Sequence, residues 1–452
     1  MNPVSPAIVK WDNKALFHLI WPLVIEQVLA VAMGAVDTVM VSSVGEFAVS
    51  GINIVDNINN LLIIAFIAMS AGGAVVVSQY IGRRDYQNAS LAARQLYYVV
   101  LLISFFIMTA AVFFRRPVIS LLYGTLETDV MEAASVYLLI TAFSFPMLAI
   151  QNACAALFRA AGNSRIPMRI AIIVNVLHVG GNALFIYGFK LGTAGAALST
   201  LICRAIAAAI LTWLLIYGKR SVISLAGLKS VVFIRPMIRS IFRVGIPSGI
   251  ESSMFQVGRI LTQRIFAFFG TVALSANAIA GVVNSFSFMP GMAYGMALVT
   301  VVGQCIGAGD IEGAKRLTAK IMKYAYITIF IVNLCVYIFM KPLIGIFHLS
   351  AESQELARSF LSIHCFSMAI GWGMSFALPN ALKAAGDAKY VMLVACISMW
   401  LVRVSAAYLL TFTADLGPIG VWIAMGGDFL VRGSLYLARW LGGRWRDKKV
   451  ID

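Results

Sequence analysis

The same signature occurs twice in this chain, 225 residues apart. Pro22-x-x-Ile25-Glu26 returns as Pro247-x-x-Ile250-Glu251. Val76-Val77-x-Gln79-x-Ile81-Gly82-x-x-Asp85 returns as Val301-Val302-x-Gln304-x-Ile306-Gly307-x-x-Asp310. Residues 48–89 and 273–314 align at that one offset without a gap and share 12 identities in 42 positions. Ordinary residue usage gives roughly three by chance. Ala160-Ala161-Gly162 also reappears as Ala384-Ala385-Gly386 at offset 224, and Gly192-x-x-Gly195 as Gly417-x-x-Gly420 at offset 225. The chain must therefore fold as two copies of one half.

Those halves belong in a membrane. Hydrophobic residues make up 61% of the chain and charged residues 12%, against about 25% charged in a soluble domain. Twelve apolar runs are each long enough to cross a bilayer: 15–43, 48–80, 91–114, 134–158, 166–188, 194–217, 239–269, 273–304, 321–345, 358–382, 390–413 and 418–440. They are continuously apolar, which selects helices over the alternating strands of a barrel. The expected fold is an all-α polytopic membrane protein, with twelve transmembrane helices in two pseudo-symmetric six-helix lobes. The lobes are expected at 1–218 and 239–452, joined by a basic cytoplasmic linker at 219–238. Six spans per copy give both copies one orientation, related by an axis along the membrane normal. Parallel repeats of this kind build transporters. Pro22, Pro146, Pro247, Pro290 and Pro379 fall within runs and predict bends.

The net charge of +16 does not mark a nucleic-acid partner, because its distribution is topological. With the N-terminus in the cytoplasm, inner segments hold 25 of the 35 Lys and Arg and outer loops hold five. This asymmetry places both termini in the cytoplasm of a multi-pass protein of the cell inner (plasma) membrane. The first run is too long for a signal-peptide core and is read as retained. Cys154, Cys203, Cys305, Cys335, Cys365 and Cys396 are scattered singly through apolar runs and read as small core residues. No HExxH, GxSxG or Walker loop is present, so neither an enzyme nor an ATP-driven pump is expected. Gly307-Ala308-Gly309-Asp310 matches the GxGD of intramembrane proteases, but the partner Tyr-Asp dipeptide is absent and Asp310 falls in a basic loop.

Five carboxylates lie inside runs: Glu26, Asp37, Asp56, Glu251 and Asp428. Charge there is costly and each is a functional candidate. At 1.5 Å per residue, Asp37, Asp56 and Asn182 fall at one level in the outer half of the first lobe. His178 lies one helical turn from Asn182 and Asn175 two turns away on the same face. This set is a candidate site for a small cation. Sodium would use oxygen ligands, with Asp37 as the metal ligand, whereas a proton needs only a buried carboxylate. The competing reading is a polar network tying three helices together. In the second lobe, Glu251 and Asp428 fall near the midplane with Arg259, Arg403 and Arg432, as a salt-bridge network or a second coupling site. Glu26, Gln27, Met254, Phe255, Phe288, Met289, Met292 and Trp372 are expected to line a soft substrate cavity.

Further pieces carry a family resemblance. They are Val36-Asp37-Thr38, Val77-Ser78-Gln79-Tyr80-x-Gly82, Phe158-Arg159-Ala160-Ala161-Gly162-Asn163 with Pro167-Met168, and Asn182-x-x-Phe185-Ile186-Tyr187-Gly188. Gly245-Ile246-Pro247 and Pro290-Gly291 through Val302-Gly303-Gln304-x-x-Gly307-Ala308 complete the series. In this order and spacing the chain resembles the multidrug and toxic compound extrusion (MATE) family over essentially its full length. The resemblance implies alternating access around a central cleft. It also implies antiport of lipophilic, often cationic compounds against protons or sodium. Asp37 falls at the family's first-helix aspartate. Asn182 stands where many members carry a second aspartate, and His178 where asparagine is common. Counting back eleven residues from Lys383, where some sodium-coupled members carry an acid, gives Trp372. Small organic substrates, membrane lipids, a monomeric state and no cofactor are expected. The rival readings are a lipid or lipid-linked saccharide flippase of the same superfamily and a membrane-embedded enzyme.

Overall fold

The computed structural model describes residues 11–44, 46–124, 127–218, 221–228, 230–347 and 349–451. Lys10, Lys219, Arg220 and Lys229, which count toward the inner charge, lie outside that set. All regular structure among the described residues is helical. The first repeat contains α1 (Asn13–Ser42), α2 (Glu46–Gly82), α3 (Tyr86–Phe113), α4 (Arg115–Tyr123), α5 (Thr128–Phe143), α6 (Phe145–Ala160), α7 (Arg165–Asn182) and α8 (Gly192–Tyr217). The second contains α9 (Arg235–Phe268), α10 (Gly270–Gly307), α11 (Ile311–Ile338), α12 (Met340–Gly345), α13 (Ala351–Ser367), α14 (Leu378–Ala384), α15 (Ala388–Ile397), α16 (Ser405–Tyr408) and α17 (Ile419–Leu441). π-Helical turns at Ala183–Gly188, Met368–Ala377, Ser398–Val404 and Leu409–Thr413 fall within three spans.

Helix occupies each of the twelve apolar runs. Nine helices among the described residues are long and apolar enough to cross a membrane, and α5 with α6 makes a tenth span bent by 47°. The remaining two runs, α9 and α17, have the length but carry more charge, including Glu251, Arg259, Asp428 and Arg432. Pro22, Pro247 and Pro290 lie inside their helices. Pro146 and Pro379 instead begin α6 and α14, where a missing N–H leaves no helical acceptor unmet.

The repeated motifs are repeated turn chemistry. Asp85 caps α3 by accepting the Asn88 N–H at 3.0 Å, and its counterpart Asp310 caps α11 by accepting the Gly313 N–H at 2.7 Å. Each follows a left-handed residue, Arg84 (φ 63°) and Gly309 (φ 75°). The GxGD match is thus a helix start, consistent with the capping preference of aspartate. The two Ala-Ala-Gly triplets end helices on left-handed glycines, Gly162 and Gly386. Behind them the Asn163 N–H donates to Phe158 O and the Asp387 N–H to Leu382 O, the closing bond of a Schellman cap.

Contacts divide the chain into two compact units, Val28–Gly245 and Met1–Gln27 with Ile246–Asp452. Both boundaries fall inside unbroken helices, α1 and α9. In the first unit α2 packs against α3, α5 and α6, and α8 against α5, α6 and α7. Ala-rich α6 makes these approaches close. In the second unit α10 packs on α11, α13 and α14, while α17 packs on α13 and three π-helical turns. Five of the six cysteines are buried or half-buried, whereas Cys335 is exposed and corrects the expectation that all are core residues.

Gly72 sits where α2 meets the start of α9. A Cβ there would lie 2.6 Å from Ile241 O and 2.7 Å from Gly245 N, both rigid backbone atoms. A Cβ on Gly281 would meet nothing within 4 Å. Gly72→Ala should destabilise by about 1–3 kcal/mol through overpacking. Gly281→Ala should be neutral or stabilising by up to about 1 kcal/mol from helix propensity. Thermal unfolding of the two variants in detergent checks this ordering.

Candidate functional site

Three helices of the first unit bring the predicted polar residues together. Asp37 lies on α1, five residues before the helix ends, and is part exposed. Asn182 ends α7 just before the π-helical turn and is 1% exposed. Its Nδ2 donates to Asp37 Oδ1 at 2.8 Å. His178, one turn earlier, sets Nδ1 3.3 Å from the same oxygen. The other ring nitrogen, Nε2, lies 3.1 Å from Thr200 Oγ1 on α8. Thr200 can also donate to Ala196 O at 3.0 Å, and Ser199 Oγ bonds His178 O at 3.2 Å. The imidazole is thereby fixed from both sides.

These groups face a cavity of about 290 Å³. Asp56 lines it from α2 and accepts from Tyr137 OH at 3.4 Å. Asn175 lines it too, with Nδ2 3.4 Å from Leu29 O on α1. All five predicted residues of this group, Asp37, Asp56, Asn175, His178 and Asn182, share the one cavity. The volume falls at the small end of the range for ligand pockets and suits an ion with water better than a drug-sized molecule.

The sequence reading passed over Arg204, Tyr137, Thr200 and Gln151, which line the same space. Arg204 matters most, because it adds a positive charge to a cavity lined by two carboxylates. Its Nη1 donates to Ser144 Oγ at 2.6 Å, and Ser144 in turn donates to Thr141 O at 2.6 Å. That anchor stands at the α5–α6 break. The available signal was a lone arginine inside an apolar run, which sequence reading counted but did not place.

At offset 225 the counterparts of Asp37 and Asn182 are Thr262 and Ala407. Both are buried, and Thr262 is occupied with its own helix through Arg259 O at 3.0 Å. The second unit therefore holds no copy of this arrangement. Its two candidate acids, Glu251 and Asp428, have separate partners rather than one shared network. Glu251 Oε2 pairs with Lys383 Nζ at 2.7 Å. Asp428 Oδ2 lies 3.5 Å from Arg432 Nη2, and its Oδ1 accepts from Ser398 Oγ. Arg403 is buried and stacks 5.2 Å from the centre of the Phe255 ring.

The expected substrate-cavity residues distribute unevenly. Phe255 and Trp372 meet through Phe376, with ring centres 5.8 and 5.3 Å from it. Met289 is buried, while Met254 and Phe288 are half-buried. Gln27 Nε2 reaches Met296 Sδ at 3.8 Å, and Glu26 is half-buried one residue before it. Met292 is 40% exposed.

Comparison with known proteins fits this architecture. The MatE family model matches residues 22–184 and 247–409, two segments 225 residues apart at both ends. The chain is 29% identical to the uncharacterized transporter YisQ of Bacillus subtilis, over 98% of each chain. It is 27% identical to a probable multidrug resistance protein NorM of Thermotoga maritima, over 97% of this chain and 94% of the other. The fold matches that of the Vibrio cholerae MATE transporter VcmN with a TM-score of 0.89 at 19% identity, covering 97% and 98% of the two chains. A MOP superfamily transporter from Pyrococcus furiosus matches with a TM-score of 0.88 at 18% identity, covering 96% and 95%. With both repeats matched and the twelve-helix architecture in place, the chain belongs to the MatE family of multi-pass membrane transporters.

Proposed function

We propose that this protein is a secondary antiporter that exports lipophilic, cationic organic compounds in exchange for protons, with Asp37 as the coupling group. The observation that carries the reading is the pair of nitrogens, Asn182 Nδ2 and His178 Nδ1, both directed at Asp37 Oδ1. Sodium prefers oxygen ligands, and these two neighbours turn nitrogens to the carboxylate instead. A proton suits the arrangement.

The proton count follows from the hydrogen bonds. With Thr200 donating to Ala196 O, its oxygen accepts from His178 Nε2–H. The contact between Nδ1 and Asp37 then needs a second proton, on either atom, or two lone pairs face each other. On release, the Thr200 hydroxyl turns toward Nε2 and the remaining imidazole proton sits on Nδ1 against the carboxylate. One proton leaves and every partner remains engaged. The cavity charge passes from zero, with Asp56 balanced by Arg204, to minus one. A net negative charge in a low-dielectric interior attracts a cationic compound and repels none of its apolar body. Coupling requires the two loading states to favour different conformations, and the tie between α1 and α7 is where that difference is written.

The same reading places the protein in the cell inner membrane as a monomer, with both termini cytoplasmic and without cofactor or catalytic chemistry. The inner-segment surplus of Lys and Arg supports that orientation.

Proteoliposomes loaded with a fluorescent organic cation provide the test. An imposed proton gradient should drive transport in sodium-free buffer, and a sodium gradient alone should not. Sodium-only transport would overturn the proton assignment. Asp37→Asn fixes the site in its neutral form and should abolish gradient-driven export while the protein remains folded. Wild-type rates from that variant would remove Asp37 from the mechanism.

His178→Gln keeps a polar group but removes the shuttling imidazole. The proton-driven rate should fall by about two orders of magnitude, the usual worth of a positioned acid–base group. Equilibrium binding of the organic cation should change little. Stopped-flow transport together with a binding titration separates the two effects.

A further inference from the structure

A second buried charge cluster lies in the other unit and takes no part in the proton count. Asp428 and Arg432 are one turn apart on α17, 0% and 3% exposed. The π-helical turn Ser398–Val404 supplies Ser398 and Arg403, and Arg403 is 6% exposed. Both guanidinium groups lie over the Phe255 ring, at 5.2 Å for Arg403 and 5.6 Å for Arg432. Arg432 also lies 4.5 Å over Phe376.

Asp428, Arg403 and Arg432 are all buried, whereas neighbouring Arg259 is exposed, so the buried set is short of one negative charge. Among the described residues no carboxylate lies within ion-pair distance of Arg403, and its buried Nε and Nη1 have no acceptor. Arg432 Nε and Nη2 also lack a hydrogen bond, because Nη2 stands 3.5 Å from Asp428 Oδ2 without bonding geometry. The remaining nearby acid, Glu251, is taken by Lys383. Ser375 is committed to Phe429 O and Tyr436 to Val391 O. Aromatic faces attract guanidinium groups but supply neither lone pairs nor a compensating charge. An uncompensated charge in an apolar interior is strongly destabilising.

We propose that Arg403 and Arg432 bind a small monovalent anion, of the halide class, between their guanidinium groups beside Phe255. One negative charge neutralises the cluster. A spherical ion accepts from several N–H groups at once, as the unmet donors on two side chains require. A dianion would overcompensate, and a large organic anion would not fit among buried groups. The inference concerns the second unit alone and stands or falls separately from coupling at Asp37.

The test is thermal unfolding of the full-length purified protein in detergent, with chloride titrated against gluconate at constant ionic strength. Chloride should raise the unfolding midpoint in a saturable way, bromide should substitute, and sulfate should not. Arg403→Gln removes the surplus charge. It should lose the chloride response and be at least as stable as the wild type in gluconate. A midpoint indifferent to chloride overturns the site, as does an equal saturable response in Arg403→Gln. Should that variant fail to fold, wild-type crystals soaked in bromide decide the matter. An anomalous peak between the two guanidinium groups supports the site, and its absence at saturating bromide overturns it.

Discussion

A carboxylate inside a hydrocarbon slab has to be neutralised or held by donors, and the first half of this protein is arranged around that requirement at Asp37. The acid sits on α1, while the groups that hold it come from α7 and, behind them, α8. The α7 backbone is itself fixed to α8 by Ser199 on His178 O. Arg204, which shares α8, is anchored at the break between α5 and α6 by Ser144. Two charges that share one cavity, Asp37 and Arg204, thus engage four parts of the bundle. Apolar packing alone is less selective, since lipid tails and leucines are similar solvents for a helix face.

Much of this was readable from the residues, for identifiable reasons. Rise per residue is nearly constant in a helix, so counting from helix ends placed Asp37, Asp56 and Asn182 at one depth, and they do line one cavity. Helical spacing put His178 and Asn175 on the Asn182 face. Arg204 and Thr200 escaped because depth counting identifies levels, not which neighbours face inward. A threonine in an apolar helix has no sequence signal of its own. The second half was harder. Glu251 and Asp428 were grouped by depth, yet they have different partners. Lys383, one residue past the apolar run 358–382, extends its long side chain to Glu251 at 2.7 Å, as lysine stems commonly do.

The repeat was the most legible feature, and its structural meaning is narrower than its sequence meaning. Beyond the Pro-x-x-Ile-Glu segment of α1 and α9, what the halves share is punctuation: an aspartate starting α3 and α11, and a left-handed glycine ending α6 and α14. What they do not share is the chemistry between those marks. The counterpart of the Asp37 site is filled by Thr262 and Ala407, and the arginines of the second half have no match in the first. Shared boundaries fix the lengths and directions of helices, and each half remains free to place its own polar groups on them.

The π-helical turns give that freedom a physical form. Between Gly162 and Gly192 the first half has 30 steps, and between Gly386 and Gly417 the second has 31. The longer stretch contains two π-helical turns, at Ser398–Val404 and Leu409–Thr413, where the shorter contains one. A π turn holds more residues per revolution than an α turn, so an extra residue is stored within the span instead of lengthening a loop. The angular phase of side chains shifts across such a turn while the helix ends stay where the capping motifs put them. A one-residue change in length can therefore act as a rotation, turning a new set of side chains inward without disturbing the frame that holds them.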